Sequence, residues 1–143
     1  AFARWCGGID ILGTEGDAAR LHAAAARIGP APRTDESWED LFFRLLLERV
    51  EPRLGRERAT FLTHWPAPQA ALARRDPTAP RGALRFELFV AGMELANAFD
   101  ELTDAAEQRA RFVHDVAERR RLYGAEGWEV DEDFLAALEH GMP

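Results

Sequence analysis

The sequence predicts an α+β fold, an antiparallel sheet flanked by helices. Three observations predict it. Residues 84–90 read LRFELFV, in which Leu84, Phe86, Leu88 and Val90 alternate with Arg85 and Glu87, the period of a strand with one apolar face. Ala91-Gly92 follows directly as a two-residue hairpin signal, with glycine free to take positive φ, and a second strand starts at Met93. Helical patterns lie before and after this hairpin, so the order is helix, helix, strand, hairpin, helix, helix.

The elements follow in chain order. Phe2 to Trp5 belongs to a short helix broken by Gly7-Gly8. Thr14 to Ile28 is alanine-rich and helical, with Thr14 as N-cap, Asp17 three residues on, and Gly29-Pro30 as the stop. His22 lies within it as a surface histidine. After a loop over 30–35, Ser37 caps a second helix with Asp40 three residues later. Trp38, Leu41, Phe42, Leu45 and Leu46 fall at helical spacing, and Phe43 and Leu47 widen the stripe. Glu51-Pro52 ends it, because proline disfavours helix in the residue before it. Thr60 to Trp65 has strand composition and is stopped by Pro66 and Pro68. His64 stands at the end of that strand without a partner nearby in sequence. Gln69 to Ala73 makes one helical turn, and Arg74 to Pro80 is a loop. Beyond the hairpin, Thr103 or Asp104 caps a long helix to about Leu122, with Ala106, Ala110, Val113, Val116 and Ala117 as its apolar stripe and Arg119 to Arg121 as a solvated, dipole-compatible end. His114 is a surface residue of this helix. Asp131 caps the last helix, Glu132 to His140, with Phe134, Leu135 and Leu138 inward and Gly141 as its stop.

Length and composition bound the function. The 143 residues fit about one domain. A net charge of −7 argues against a chain that works mainly by gripping nucleic-acid phosphates. Every basic side chain is arginine, which excludes a Schiff-base or phosphate-loop lysine within this chain. The single cysteine, Cys6, forms neither an internal disulfide nor a cysteine metal cluster and fits a reduced, cytoplasmic thiol. No apolar run approaches about 18 residues, so no membrane span is expected. AFARWCGGID lacks a signal-peptide layout and an initial methionine, and the chain stops just after a helix; both ends are expected to be cut from something longer.

Chemistry concentrates in the hairpin. In a regular return strand, Met93, Leu95 and Phe99 share one parity, expected to face the core, while Glu94, Ala96, Ala98 and Asp100 share the other. The second face sets a carboxylate beside two alanines, as in a strand lining a ligand pocket. Asn97 has core-side parity and needs hydrogen-bond partners if buried. Two carboxylates, Glu94 and Glu101, can hold a magnesium ion against a nucleotide's phosphates or can hold a substrate ammonium. Their spacing opposes a shared site. Seven residues at roughly 3.3 Å each put them about 23 Å apart, on opposite faces, unless the strand breaks between them. That break is expected between Asn97 and Asp100.

FELFVAGMELANAFDELTDAAEQRARF resembles the segment FELF-x-x-G-x-E-x-x-N-G-x-x-E-L-x-D-x-x-x-Q-x-x-RF of class II lysyl-tRNA synthetases and their shortened relatives. The resemblance extends upstream through TFLTHWPAPQAALA and downstream through VDEDFLAALEHGMP, covering roughly residues 36 to 143. HWPAPQAALA is closer to the shortened ligases that act on elongation factor P, because synthetases usually carry a serine-proline-leucine-alanine run where Ala70 to Ala73 stand. The resemblance implies that Glu94 and Leu95 contact ATP, that Glu94 also contacts magnesium, that Glu101 contacts the substrate amino group and magnesium, and that Asn97 borders the amino-acid pocket. It implies ATP and Mg2+ as cofactors, lysine or β-lysine as substrate, and a homodimeric full-length parent. The reaction implied is formation of an aminoacyl-adenylate, then transfer to a lysine of elongation factor P, or to tRNA if the chain comes from a true synthetase. Catalysis of this kind is mostly positioning and charge stabilisation, with no covalent enzyme intermediate, so no catalytic nucleophile is assigned.

Ala98 stands where the family motif has glycine. Motifs 1 and 2 of the class II catalytic domain are not found, and motif 3 is expected just beyond Pro143. Residues 1–143 therefore correspond to a C-terminal portion of such a domain, one wall of its site, and are expected to make no adenylate alone. The alternatives are a lysyl-tRNA synthetase fragment and a non-catalytic fragment serving as an interaction module.

Overall fold

The computed structural model describes residues 1–29, 33, 35–124 and 129–141. They divide into two compact units, 1–100 and 101–143. In the first unit, α1 (Phe2–Trp5), α2 (Ala18–Ala25) and α3 (Trp38–Leu45) precede a three-stranded antiparallel sheet of β1 (Thr60–Pro66), β2 (Gly82–Val90) and β3 (Met93–Phe99), in the order β1-β2-β3. The second unit holds α4 (Ala105–Tyr123) and α5 (Glu132–His140). The α+β class and the order of elements are those the sequence predicts.

The helix starts obey their caps. Ser37 and Asp40 form a reciprocal capping box at α3, Asp104 accepts from Glu107 N at α4, and Asp131 accepts from Phe134 N at α5. One cap is corrected. Asp17, not Thr14, caps α2, accepting from Arg20 N. Thr14 ends a short 3-10 turn and is buried, its hydroxyl donating to Ile11 O at 2.6 Å and accepting from Trp38 Nε1 at 2.8 Å. α2 already ends at Ala25, so Gly29 lies beyond it; Pro30 falls outside the described residues, as do most of the expected loop and Met142-Pro143. His22 is half-buried rather than a free surface group, with Nε2 2.8 Å from Glu36 O. α3 runs on through a π turn, Leu46–Val50, and a 3-10 turn, Glu51–Arg53.

The core of the first unit centres on Phe42. Its ring stacks on Phe2 at 5.3 Å and Trp38 at 5.1 Å, and meets Trp65 edge-on at 5.9 Å. Leu21, Leu41, Leu45, Leu46, Val50, Leu54 and Phe89 complete this core, so the helices cover the sheet face that carries Trp65 and Phe89. Phe43 packs half-buried against it, but Leu47 is exposed.

That choice of face reverses the expected parity of β2. Ala83, Glu87 and Phe89 are buried, Arg85 is half-buried, and Phe86, on the nominally apolar face, is exposed. β3 is corrected too: Met93 and Leu95, expected in the core, are 61% and 58% exposed. In the second unit, the buried or half-buried positions of α4 are Ala105, Glu107, Gln108, Arg111, Phe112, Val116 and Glu118. Of the expected stripe only Val116 belongs to this set; Ala106, Ala110, Val113 and Ala117 are exposed. Phe112 meets Phe134 of α5 at 5.9 Å, and Leu135 and Leu138 are buried. His114 is exposed, as expected.

Candidate functional site

β2 is flanked by two irregularities, and they build the site. On the β1 side the pairing slips between Thr63 and Trp65: Thr63 pairs with Phe86, but Trp65 pairs with Ala83. In an unbroken strand Thr63 and Trp65 would share a face. The slip turns Trp65 onto the helix-covered face and leaves Thr63 on the other. His64 sits at the slip with φ +56°, a conformation that non-glycine residues rarely adopt.

On the β3 side, Phe89 pairs with Glu94 and Leu88 with Ala96, so Leu95 is an extra residue, a β-bulge. The expected break lies here, at Leu95, and not between Asn97 and Asp100. Its effect on the face is decisive. Glu94 and Asn97 are three apart and would point to opposite faces of a regular strand. With the bulge between them, Glu94 pairs with Phe89 and Asn97 with Glu87, so both stand on the face of Arg85, Glu87 and Phe89.

The side chains on this face are tightly coupled. Arg85 lies over the Trp65 ring at 4.0 Å and near Phe99 at 5.7 Å, a cation held against aromatic faces. Its Nη1 donates to Gln69 O at 3.0 Å and its Nη2 to Glu87 Oε1 at 2.8 Å. Arg85 Nε donates to Asn97 Oδ1 at 3.2 Å, and Asn97 Nδ2 donates to the same Glu87 oxygen at 3.1 Å. Glu87 is only 6% exposed. Burial, and then the nearby Glu94 carboxylate, push its carboxyl up to about 7 against the pull of Arg85.

The predicted site residues therefore fall into two groups. Glu94 and Asn97 are brought to one face beside Arg85 and Glu87. Leu95 is the bulge residue, exposed, and Glu101 is the half-buried first residue of the second unit. Arg85 and Glu87 were missed by the sequence reading, which assigned them to the outer face of β2. The available signal was the place of Glu87 inside the FELF motif, with Arg85 directly before it. His64 finds a partner in the following loop: Nδ1 is 3.0 Å from Thr63 Oγ1 and Nε2 is 3.5 Å from Asp76 Oδ2. Asp76 is in turn held well below the usual carboxylate range, first by the Thr78 hydroxyl and then by the Thr78 N–H.

Among the described residues no three His, Cys, Asp or Glu side chains cluster to hold a metal. Magnesium needs no such cluster, since one or two carboxylates commonly suffice when phosphates and water complete its octahedron. Glu94, exposed on its strand, suits that role in kind. No described helix is long and apolar enough to cross a membrane.

Comparison with known proteins gives consistent matches. The family model described as class II tRNA synthetases (D, K and N) matches residues 36–143. An elongation factor P–(R)-β-lysine ligase of Hamiltonella defensa is 46% identical over 89% of this chain and 39% of its own length. The ligase of the same description from Proteus mirabilis is 43% identical over the whole chain and 43% of its length. A lysine–tRNA ligase of Dehalococcoides mccartyi is 44% identical over 94% of the chain and 26% of its length. The chain thus spans less than half the length of the curated relatives it matches.

Proposed function

The chain belongs to the family of class II tRNA synthetases (D, K and N), and from that premise we propose that it forms one wall of the catalytic site of an ATP-dependent, adenylate-forming ligase. The substrate is lysine or β-lysine, and the acceptor is a lysine side chain of elongation factor P. The observation that carries the reading is the bulge at Leu95, which puts Glu94 and Asn97 on one sheet face despite their spacing. The resemblance of HWPAPQAALA to the shortened ligases, together with relatives of that description at 43–46% identity, favours elongation factor P as acceptor. Transfer to tRNA is the second reading, favoured by the 44% identity to a lysine–tRNA ligase.

In this proposal Glu94 and Leu95 bind ATP, Asn97 borders the amino-acid pocket, and Glu101 holds the substrate amino group. Glu94 and Glu101 are the proposed magnesium ligands, each to be tested by its own substitution because they belong to separate units. Magnesium, when bound, would neutralise charge on the phosphates of ATP. The chain's own residues supply position and charge: Glu94 an exposed carboxylate at the bulge, Asn97 a carboxamide held by Arg85 and Glu87. A cytoplasmic, homodimeric parent belongs to the same proposal.

The test uses the full-length protein. Lysine or β-lysine should drive exchange of pyrophosphate into ATP, and Glu101→Gln should abolish it. Normal exchange by that variant would sink the assignment of Glu101. Offering elongation factor P and tRNA side by side separates the two acceptors.

A further inference from the structure

We propose that Arg85 and Glu87 are positioning residues that fix which way round the Asn97 carboxamide faces its ligand. This rests on the reading that Asn97 borders the amino-acid pocket, and it deepens that reading.

The three side chains close a ring. Arg85 Nη2 donates to Glu87 Oε1, Asn97 Nδ2 donates to the same oxygen, and Arg85 Nε donates to Asn97 Oδ1. A carboxamide has nearly isosteric ends and can turn over by a half rotation of its last torsion. Here the two ends are read by groups of opposite character. Guanidinium only donates, and Glu87 Oε1, which takes two N–H donors, accepts whether or not the other oxygen carries a proton. Turning the amide would set Nδ2 against the Arg85 N–H and Oδ1 against the Glu87 oxygen, donor to donor and acceptor to acceptor.

The ring is itself anchored. Arg85 is held by Gln69 O and by the Trp65 ring, and Glu87 is buried. Rotation of Asn97 therefore cannot be absorbed by movement of its partners. The ring uses one Nδ2–H and one Oδ1 lone pair, and leaves one of each to meet a ligand in a set direction. Such orientation sharpens discrimination for a ligand that must both donate and accept, as an amino acid's ammonium and carboxylate do.

The experiment is steady-state pyrophosphate exchange on the full-length protein, with lysine, β-lysine and ATP each varied. Asn97→Ala, Glu87→Leu, Glu87→Gln and Arg85→Lys are compared, with the two double variants Asn97→Ala/Glu87→Leu and Asn97→Ala/Arg85→Lys. Glu87→Leu is expected to raise the amino-acid KM about tenfold, the worth of one oriented polar contact, with the KM for ATP moved less than about twofold. Glu87→Gln keeps an oxygen that accepts from both donors and should recover most of that rise. Arg85→Lys keeps the charge but replaces the rigid fork that spans Asn97 and Glu87 with a single rotatable ammonium, and should behave as Glu87→Leu; it also serves if Glu87→Leu fails to fold. In the Asn97→Ala background neither substitution should raise the amino-acid KM further. Additive effects in that background, or equal rises for ATP and amino acid, would overturn the positioning role while leaving Asn97 in place. An unchanged amino-acid KM for Asn97→Ala alone would overturn the proposal together with the reading beneath it.

Discussion

A carboxyl group that ionises near pH 7 makes stability depend on pH where ordinary glutamates are silent. Glu87 is such a group, raised from 4.5 to about 7 chiefly by burial. The native state holds this proton more tightly than the unfolded chain does. Between about pH 4.5 and 7 the unfolded chain therefore binds fewer protons, and stability falls as pH rises through that window. Glu36 acts oppositely at lower pH. Its carboxyl is held low by Arg44, so its contribution is present above the ordinary glutamate range and lost as pH falls below it. Glu87→Gln should remove the first slope and keep the second. Urea midpoints should match the parent near pH 4.5 and exceed it at pH 8, by up to about 3 kcal/mol in stability. A variant whose profile runs parallel to the parent's would show that Glu87 is already ionised. None of this was legible in the residue itself, because Glu87 in LRFELFV reads as the polar half of an alternating strand.

Strands and turns divide differently. The β2–β3 turn was readable from Ala91-Gly92, and both residues do take positive φ, +53° and +78°. Alanine is the poorer choice there, so Ala91→Asn should stabilise by about 0.5–1 kcal/mol, read as a rise in thermal midpoint. Gly55 leads into the charged stretch Arg56 to Arg58. In the fold its φ is +68°, and a Cβ there would lie 2.7 Å from the carbonyl carbon of Phe89. Gly55→Ala should therefore destabilise by roughly 1–3 kcal/mol, with loss of amide protection along β2. The bulge at Leu95 is an element-level feature with a functional readout. Deleting Leu95 would restore a continuous ladder with Glu94 and Asn97 two apart and still on one face, while removing the local bend of the bulge and the Leu95 contact proposed for ATP. The full-length deletion variant should keep its circular dichroism and lose pyrophosphate exchange; retained exchange would separate the bulge from the site.

At the scale of the molecule, the described residues form two compact units, and the chain spans less than half of each curated relative cited here. On the proposed reading the chain supplies one wall of a site, so the 143-residue chain alone should not exchange pyrophosphate into ATP, while the full-length protein should. What the sequence determined by itself was local. The caps at Ser37, Asp104 and Asp131 and the hairpin turn rest on residues within a few positions of one another, the order of elements follows from such local patterns, and the family motif is one contiguous stretch, 86–112. What only the tertiary structure decided was which face of the sheet the helices cover, and where the strands slip. Those depend on Trp65 and Phe89 packing against Phe42 and its neighbours, contacts between residues far apart in the chain. An alternating strand offers two faces of opposite parity, and nothing inside the strand says which one will be buried. Once Phe89 took the core, Glu87 and Arg85 went in with it, and the slips at His64 and Leu95 brought Trp65, Glu94 and Asn97 to the same side.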